Sequence, residues 1–334
     1  MMEVAALYEQ ITRWAEAGQP FFFAVDYAQK QGLLLASQDP NPLGVLYSIG
    51  GKSNHSALTP INTLSALKME AFPESYETYL QRFRIVQEGL RHGNSFLANL
   101  TVRTPLSLSL SLEDVYRCTQ ALYKVLLPGR FVCFSPERFV RISKEGIISS
   151  NPMKGTIDAT LPRAEELILS NPKEQAEHAT IVDLIRNDLS MVAQEVYVKR
   201  YRYIDRVETQ TGALLQVSSE ICGCLPHDWR SHLGEILHRL LPAGSISGAP
   251  KRATVELIDR AEQLSGMPPH ERGFYTGICG YFDGEELDTG VMIRFIEELS
   301  DGSLCFHSGG GITIHSDSRS EYQEVMDKIY LPLV

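Results

Sequence analysis

Residues 150–156 read Ser150-Asn151-Pro152-Met153-Lys154-Gly155-Thr156, and the rest of the chain is organised around Lys154. The apolar run Gly146-Ile147-Ile148 leads into this stretch and reads as a strand. Asn151-Pro152 breaks that strand, because proline cannot donate to a ladder and forces extended geometry on the residue before it. Gly155 permits a sharp turn or the close approach of a ligand to the backbone. A lysine beside a proline and a glycine is most simply a solvated loop lysine. Its company suggests more. Ser135-Pro136-Glu137-Arg138-Phe139 lies just upstream, and two separated Glu-x-x-Glu pairs and a Gly-Gly-Gly run lie downstream.

Working outward, helical spacing of apolar residues predicts helices over 3–17, 75–91, 112–126, 172–192, 233–240, 251–264 and 320–329. Strands are expected at 21–25, 32–36, 44–49, 96–103, 131–134 and 138–142, and again at 197–207, 214–221, 275–282, 289–298 and 303–309. Residues 50–63 are polar and turn-rich, and a mobile connection is expected there. Strands and helices come in runs, not in strict alternation, which favours an α+β fold over a doubly wound sheet.

Composition narrows the function. At 334 residues and 43% apolar the chain can bury a large core, and 22% charged residues indicate an ordinary globular protein. A net charge of −10 without a basic cluster argues against nucleic acid, and an anionic substrate would need local basic groups or a metal. No run approaches the length of a membrane span and no signal-peptide pattern opens the chain. The six cysteines are scattered, and Cys222-Gly-Cys224 has the wrong spacing for a redox pair or zinc ribbon. Reduced cysteines and a cytoplasmic location are expected.

Glu174 and Glu177 share one face of the 172–192 helix at i, i+3, and Glu321 and Glu324 share one on the last helix. Such pairs commonly make a solvated acidic face. Were the two faces to meet, four carboxylates would repel one another unless a cation intervened, and oxygen-only donors suit Mg²⁺. His178 points to another face and reads as structural. Ser308-Gly309-Gly310-Gly311 follows a strand and reads as a tight turn or as backbone N–H groups opened to a carboxylate. Pro242-Ala243-Gly244-Ser245-Ile246-Ser247-Gly248-Ala249-Pro250-Lys251 ends at a helix N-terminus, a second candidate anion site, though not a P-loop.

Together these resemble one family from about Ser75 to the C-terminus. Ser-Pro-Glu-Arg-Phe, Pro-Met-Lys-Gly-Thr, Lys173-Glu-x-x-Glu177-His178, Asp183-Leu-Ile-Arg-Asn-Asp188-Leu, Pro-Ala-Gly-Ser-Ile-Ser-Gly-Ala-Pro-Lys, Arg272-Gly-x-Tyr275, Gly-Gly-Gly-Ile and Glu321-x-x-Glu324-x-x-x-Lys328 look like the chorismate-utilising enzymes, in the same order. Within that family the lysine resembles the aminodeoxychorismate synthase component I branch, since anthranilate synthase large subunits typically carry alanine there. The water-activating lysine of isochorismate and salicylate synthases has no counterpart on Phe96-Leu97-Ala98-Asn99-Leu100.

The resemblance implies a large fold of two packed β-sheets with helices outside. Residues 1–70 would be a shortened N-terminal segment packing on a 71–334 chorismate-binding catalytic domain. Glu137 would be the general acid/base at the C4 hydroxyl and Lys154 a nucleophile at C2, with a lowered pKa. Glu174, Glu177, Glu321 and Glu324 would hold Mg²⁺. Arg294, Tyr275, Lys328 and the backbone at Gly309, Gly310 and Gly311 would grip substrate carboxylates, with Ser245 near the ring and Thr156 also binding substrate. Ammonia would come from a separate glutamine amidotransferase subunit, whose Cys-His-Glu signature is lacking here. Gln216 stands where many relatives have histidine near the ring. The chain is also expected to be short at its N-terminal end against common relatives, so no feedback regulation by tryptophan is expected.

Overall fold

A computed structural model describes residues 1–37, 40–56, 67–209, 212–265 and 271–333. The first part of the chain runs β1 (Met2–Glu3), α1 (Val4–Glu16), β2 (Phe21–Val25), β3 (Gln31–Ala36), β4 (Leu46–Ile49), β5 (Lys52–Ser53), β6 (Met69–Ala71), α2 (Tyr76–Arg91), β7 (Leu97–Leu108) and α3 (Leu112–Cys118). Then come β8 (Tyr123–Leu127), β9 (Phe131–Ser135), β10 (Arg138–Ile142), β11 (Ile147–Ser150), β12 (Met153–Asp158), α4 (Ala164–Ser170), α5 (Pro172–Ser190), β13 (Gln194–Thr209) and β14 (Gly212–Cys224). The chain closes with α6 (Leu233–Leu240), α7 (Gly244–Ser247), β15 (Gly248–Ala249), α8 (Lys251–Glu262), β16 (Ile278–Phe282), β17 (Leu287–Val291), β18 (Phe295–Glu298), β19 (Leu304–Ile312) and α9 (Ser318–Asp327).

Two antiparallel sheets result. The first follows the order β1-β3-β2-β16-β17-β10-β11-β14-β12, with β13 also on β14; the second follows β15-β7-β19-β18-β9-β8-β4-β5, with β6 on β7. Their facing sides make one apolar layer. Phe22 and Cys279 of the first sheet meet Tyr47, Val125, Cys133 and Phe295 of the second there, and Phe22 stacks on Tyr47 with centroids 4.4 Å apart. Helices cover the outer faces. α1, α5 and α6 bury Leu7, Ile11, Leu184 and Leu237 against the first sheet, and α2, α8 and α9 bury Phe83, Ile258 and Val325 against β7 and β19. This is the α+β arrangement of two packed sheets with helices outside. Strands from residues 1–70 enter both sheets: β2 pairs with β16, and β4 pairs with β8.

Several elements differ from the sequence reading. The helix expected over 112–126 stops at Cys118, and Tyr123–Leu127 is a strand. Thr119 takes extended backbone, and Lys124 Nζ donates to the carbonyls of Tyr116 and Thr119 at 2.5 Å, satisfying the helix end. Burial of Tyr123, Val125 and Leu127 between the sheets overrides the local helical spacing. The strand expected over 289–298 is two strands in different sheets, broken where Arg294 takes a left-handed φ of 53°. No glycine or proline marks that break. Residues 52–53 are a short strand within the connection expected over 50–63; its remainder from 57 lies outside the described residues. Gly309–Gly311 lie inside β19, not in a turn after it. Lys154 lies on a strand, β12, and not in a loop.

Candidate active site

Asn151-Pro152 separates β11 from β12, and both then pair with β14. A register shift between Met153 and Thr156, with Gly155 at φ 90°, bulges β12 at Lys154. Only glycine adopts that backbone without strain. Thr156 lies opposite Gln216 of β14. Pro136 breaks β9 from β10, and Glu137 sits at the break with its N–H donating to Ser135 Oγ at 3.1 Å. α5 supplies Glu174 and Glu177, α7 supplies Ser245, and α9 supplies Glu321 and Glu324 with Lys328 at its C-terminal end.

These elements converge on a cavity of about 630 Å³. Lys154, Glu137, Arg294, Tyr275, Lys328, Gly309, Gly311, Ser245, Thr156, Gln216, Glu174, Glu177 and Glu324 all line it. Gly310 and Glu321 do not. Glu321 is 4% exposed, and a methyl group at Gly310 would come within 3.5 Å of its Oε2. The glycine strand explains part of this pattern. β18 pairs with β19 only up to His307, so β19 has an open edge beyond that residue. The Gly309 carbonyl accepts from Lys328 Nζ at 2.7 Å, and along a strand the N–H and C=O of one residue share an edge while successive residues alternate. Gly309 and Gly311 therefore turn their N–H groups to the open edge, and Gly310 turns its own to β7.

Two lysines neutralise two of the glutamates. Lys154 Nζ is 2.9 Å from Glu177 Oε2, and Lys328 Nζ is 2.6 Å from Glu324 Oε1. Glu174 Oε2 is buried without a hydrogen-bond partner. Among the described residues no three His, Cys, Asp or Glu side chains close around one point. The donor set is nevertheless all oxygen, and an orphaned buried carboxylate oxygen is what a hard divalent ion such as Mg²⁺ takes up. The residues fit such an ion.

Burial pulls the Lys154 pKa down, but the carboxylates of Glu177, Glu324 and Glu174 more than reverse this, and the net shift is upward. Desolvation alone therefore does not give the lowered pKa expected from the sequence, because the surrounding negative charge outweighs it; the positive charge of a metal, also part of that expectation, would act against those carboxylates. Burial pushes the Glu137 carboxyl up; the hydrogen bond from Ser245 Oγ and the charges of Lys328 and Arg294 oppose this without cancelling it. That Ser245 bond to Glu137 Oε1 is 2.7 Å long. Arg294 Nε is buried with no partner, a donor waiting for an anion. His178 is fully buried on Ser219 Oγ at 2.7 Å, and burial lowers its pKa to about 4. Arg272 forks onto Glu262 at 3.1 and 2.6 Å and donates to the Asn99 carbonyl at 2.8 Å, tying the Tyr275 turn to β7.

Asn99 escaped the sequence reading as a site residue. It lines the cavity, and its Oδ1 is buried without a partner. The available signal was one amide inside the apolar run Phe96–Leu100. Thr313 and Asp327 also line the cavity.

A family model described as chorismate binding enzyme matches residues 21–333. The chain belongs to this family. It is 48% identical over 325 residues to an uncharacterized PabA-like protein of Haemophilus influenzae, covering 97% of this chain and 96% of the relative. It is 33% identical over 268 residues to aminodeoxychorismate synthase component 1 of Escherichia coli, covering 76% of this chain and 56% of that one. It is 36% identical over 275 residues to anthranilate synthase component 1 of Arthrobacter globiformis, covering 76% and 49%. The matches span about half the length of those two synthase components. In fold it resembles MenF, the menaquinone-specific isochorismate synthase of Escherichia coli, with a TM-score of 0.69 and 17% identity over 98% of this chain and 81% of that one. Among the described residues no helix is long and apolar enough to cross a membrane.

Proposed function

We propose that this member of the chorismate binding enzymes catalyses the reaction of aminodeoxychorismate synthase component I. Chorismate and ammonia give 4-amino-4-deoxychorismate and water, on the folate route through 4-aminobenzoate. The observation that carries this reading is that Lys154 and Glu137 line the same cavity. A nucleophile and a carboxyl acid then reach one bound ring.

In the first half-reaction Glu137 gives its proton to the C4 hydroxyl, which leaves as water. The Lys154 Nζ lone pair forms a bond to C2 as the ring double bonds shift. This attack needs the free amine, so the ammonium held by pairing with Glu177 must first give a proton to solvent water, which its partly exposed side chain reaches. In the second half, ammonia bonds to C4, the double bonds shift back, and the C2–N bond breaks to return the electron pair to Lys154. The surplus proton of the new ammonium goes to the Glu137 carboxylate, which is restored. Arg294, Tyr275, Lys328 and the N–H groups of Gly309 and Gly311 receive the substrate carboxylates, Arg294 through its planar fork. Mg²⁺ held by Glu174, Glu177 and Glu324, with Glu321 behind them, would neutralise a substrate carboxylate. The protein would work in the cytoplasm, with ammonia supplied by a glutamine amidotransferase subunit.

The test is incubation of the purified chain with chorismate, Mg²⁺ and an ammonium salt, followed by product mass and ultraviolet spectrum. A second reading, anthranilate synthase component I, is favoured by the 36% identity to the Arthrobacter globiformis relative. It predicts anthranilate and pyruvate. A docking protein without activity would give no product, and it would need neither Glu137 nor Lys154.

A further inference from the structure

Two stretches singled out in the sequence, 183–189 and 242–251, contribute only Ser245, Ile246 and nothing charged to the cavity wall. Their charged residues meet behind it. Asp188, near the C-terminal end of α5, is 8% exposed, and Lys251, the first residue of α8, sets Nζ 3.0 Å from its Oδ1. The same ammonium donates to the carbonyl of Leu240, the last residue of α6, at 2.7 Å. On its other side the Asp188 carboxylate accepts the N–H of Gly244. A methyl group at Gly244 would come within 2.0 Å of Leu184 Cδ2 and 2.4 Å of Asp188 Oδ2, so this approach to α5 requires glycine. The residue after Gly244 is Ser245, whose Oγ donates to Glu137 Oε1 at 2.7 Å.

A buried ion pair adds little net stability over apolar packing of similar volume, and its better-attested use is to fix one geometry. We infer that Asp188 and Lys251 are positioning residues that lock the short helix α7 so that Ser245 meets the Glu137 carboxyl. The inference rests on the reading of Glu137 as the acid and base. The groups acting on that carboxyl are Ser245, Lys328 and Arg294, with the Tyr275 hydroxyl nearby. Loosening α7 removes the contribution of Ser245 and leaves the others.

Carbon-13 NMR titration of the Glu137 side chain, assigned against Glu137→Gln, reads this directly. The proteins compared are wild type, Ser245→Ala, Asp188→Asn and Asp188→Asn/Lys251→Met, the last leaving no lone buried charge. The Asp188 variants are expected to raise the Glu137 pKa as far as Ser245→Ala does, and no further when combined with it. Their kcat should fall by roughly 10-fold to 10²-fold, the scale of a misplaced catalytic group, with KM little changed. Gly244→Ala, which pushes α7 off both Leu184 and Asp188 with both charges intact, should give the same shift. A wild-type Glu137 titration in the folded Asp188→Asn/Lys251→Met or Gly244→Ala protein overturns the inference, as does full additivity with Ser245→Ala. If Glu137→Gln turns over normally while the shift appears, the acid assignment fails and the positioning stands.

Discussion

Lys154 Nζ and Glu177 Oε2 stand 2.9 Å apart, a bulged strand residue held by the helix that lies across it. The pair fixes where the amine sits in the cavity. Were Lys154 the nucleophile, quenching during turnover should leave a mass adduct on its peptide. Lys154→Ala should show none, and its residual product should move from the 4-amino compound to the 2-amino compound or anthranilate. Lys154→Arg should not rescue, because guanidinium stays protonated. An alanine variant that makes the 4-amino product at near wild-type rate would reduce Lys154 to a steering charge.

Glu174 offers a test of the metal that does not depend on turnover. Its Oε2 is buried without a hydrogen-bond partner, so the metal-free protein carries a carboxylate oxygen that lacks a donor. Glu174→Gln is expected to raise the melting temperature without metal and to weaken Mg²⁺ binding measured by calorimetry. Unchanged Mg²⁺ affinity would remove Glu174 from the ligand set. Chelation should also abolish wild-type activity, and so should Glu324→Gln.

Glu137→Gln keeps the shape of the side chain and deletes its proton. Ammonia-dependent turnover should fall by roughly 10²-fold or more, the usual worth of general acid/base help. The carboxyl also titrates above its ordinary value because it is buried. The folded state therefore holds this proton more tightly than the unfolded chain. Its stabilising contribution is complete below the unfolded-state pKa and is lost as pH rises through the raised folded value. Glu137→Gln should flatten that part of the stability–pH curve in denaturant titrations.

Arg294 should matter for binding more than for chemistry. Arg294→Gln removes a fork donor with a buried unpartnered Nε, and KM for chorismate should rise by roughly 10-fold or more with a smaller change in kcat. A fall in kcat alone would mean that Arg294 acts only on the transition state.

Arg272 is 1% exposed and paired through Nε and Nη2 with the two oxygens of Glu262. Arg272→Met leaves that carboxylate buried without its counter-ion and should cost about 3–5 kcal/mol of stability in urea unfolding. A loss under about 1 kcal/mol would mean that the remaining partners of Glu262, Thr101 among them, suffice.

Much of the site was legible because its chemistry is written in short local patterns. Ser-Pro-Glu, Asn-Pro-Met-Lys-Gly and the two Glu-x-x-Glu faces each need particular residue types at fixed spacing, and the fold brings Glu137, Lys154, Glu174, Glu177 and Glu324 to one cavity. What depended on long-range packing was not legible. The break at Arg294 carries no glycine or proline, and only the crossing between sheets imposes it. The strand at Tyr123–Leu127 follows from burial between sheets and not from local propensity. Lys154 was expected to lose its proton easily, and three carboxylates drawn from two distant helices decide otherwise. Alternation along β19 explains why Gly309 and Gly311 reach the cavity and Gly310 does not.

The crossing from β17 to β18 has a mechanical consequence. Met292 is bonded to Gly277 and Thr276 on the side of the first sheet, and the Arg294 carbonyl takes the N–H of Phe134 in the second. A carboxylate gripping Arg294 therefore pulls on backbone stitched into both halves of the sandwich, not on a compliant loop. The amides of Thr276, Met292 and Phe134 should exchange with solvent at one shared slow rate, set by opening of the whole body. On the proposed reading, the group that would hold the substrate is anchored in both sheets.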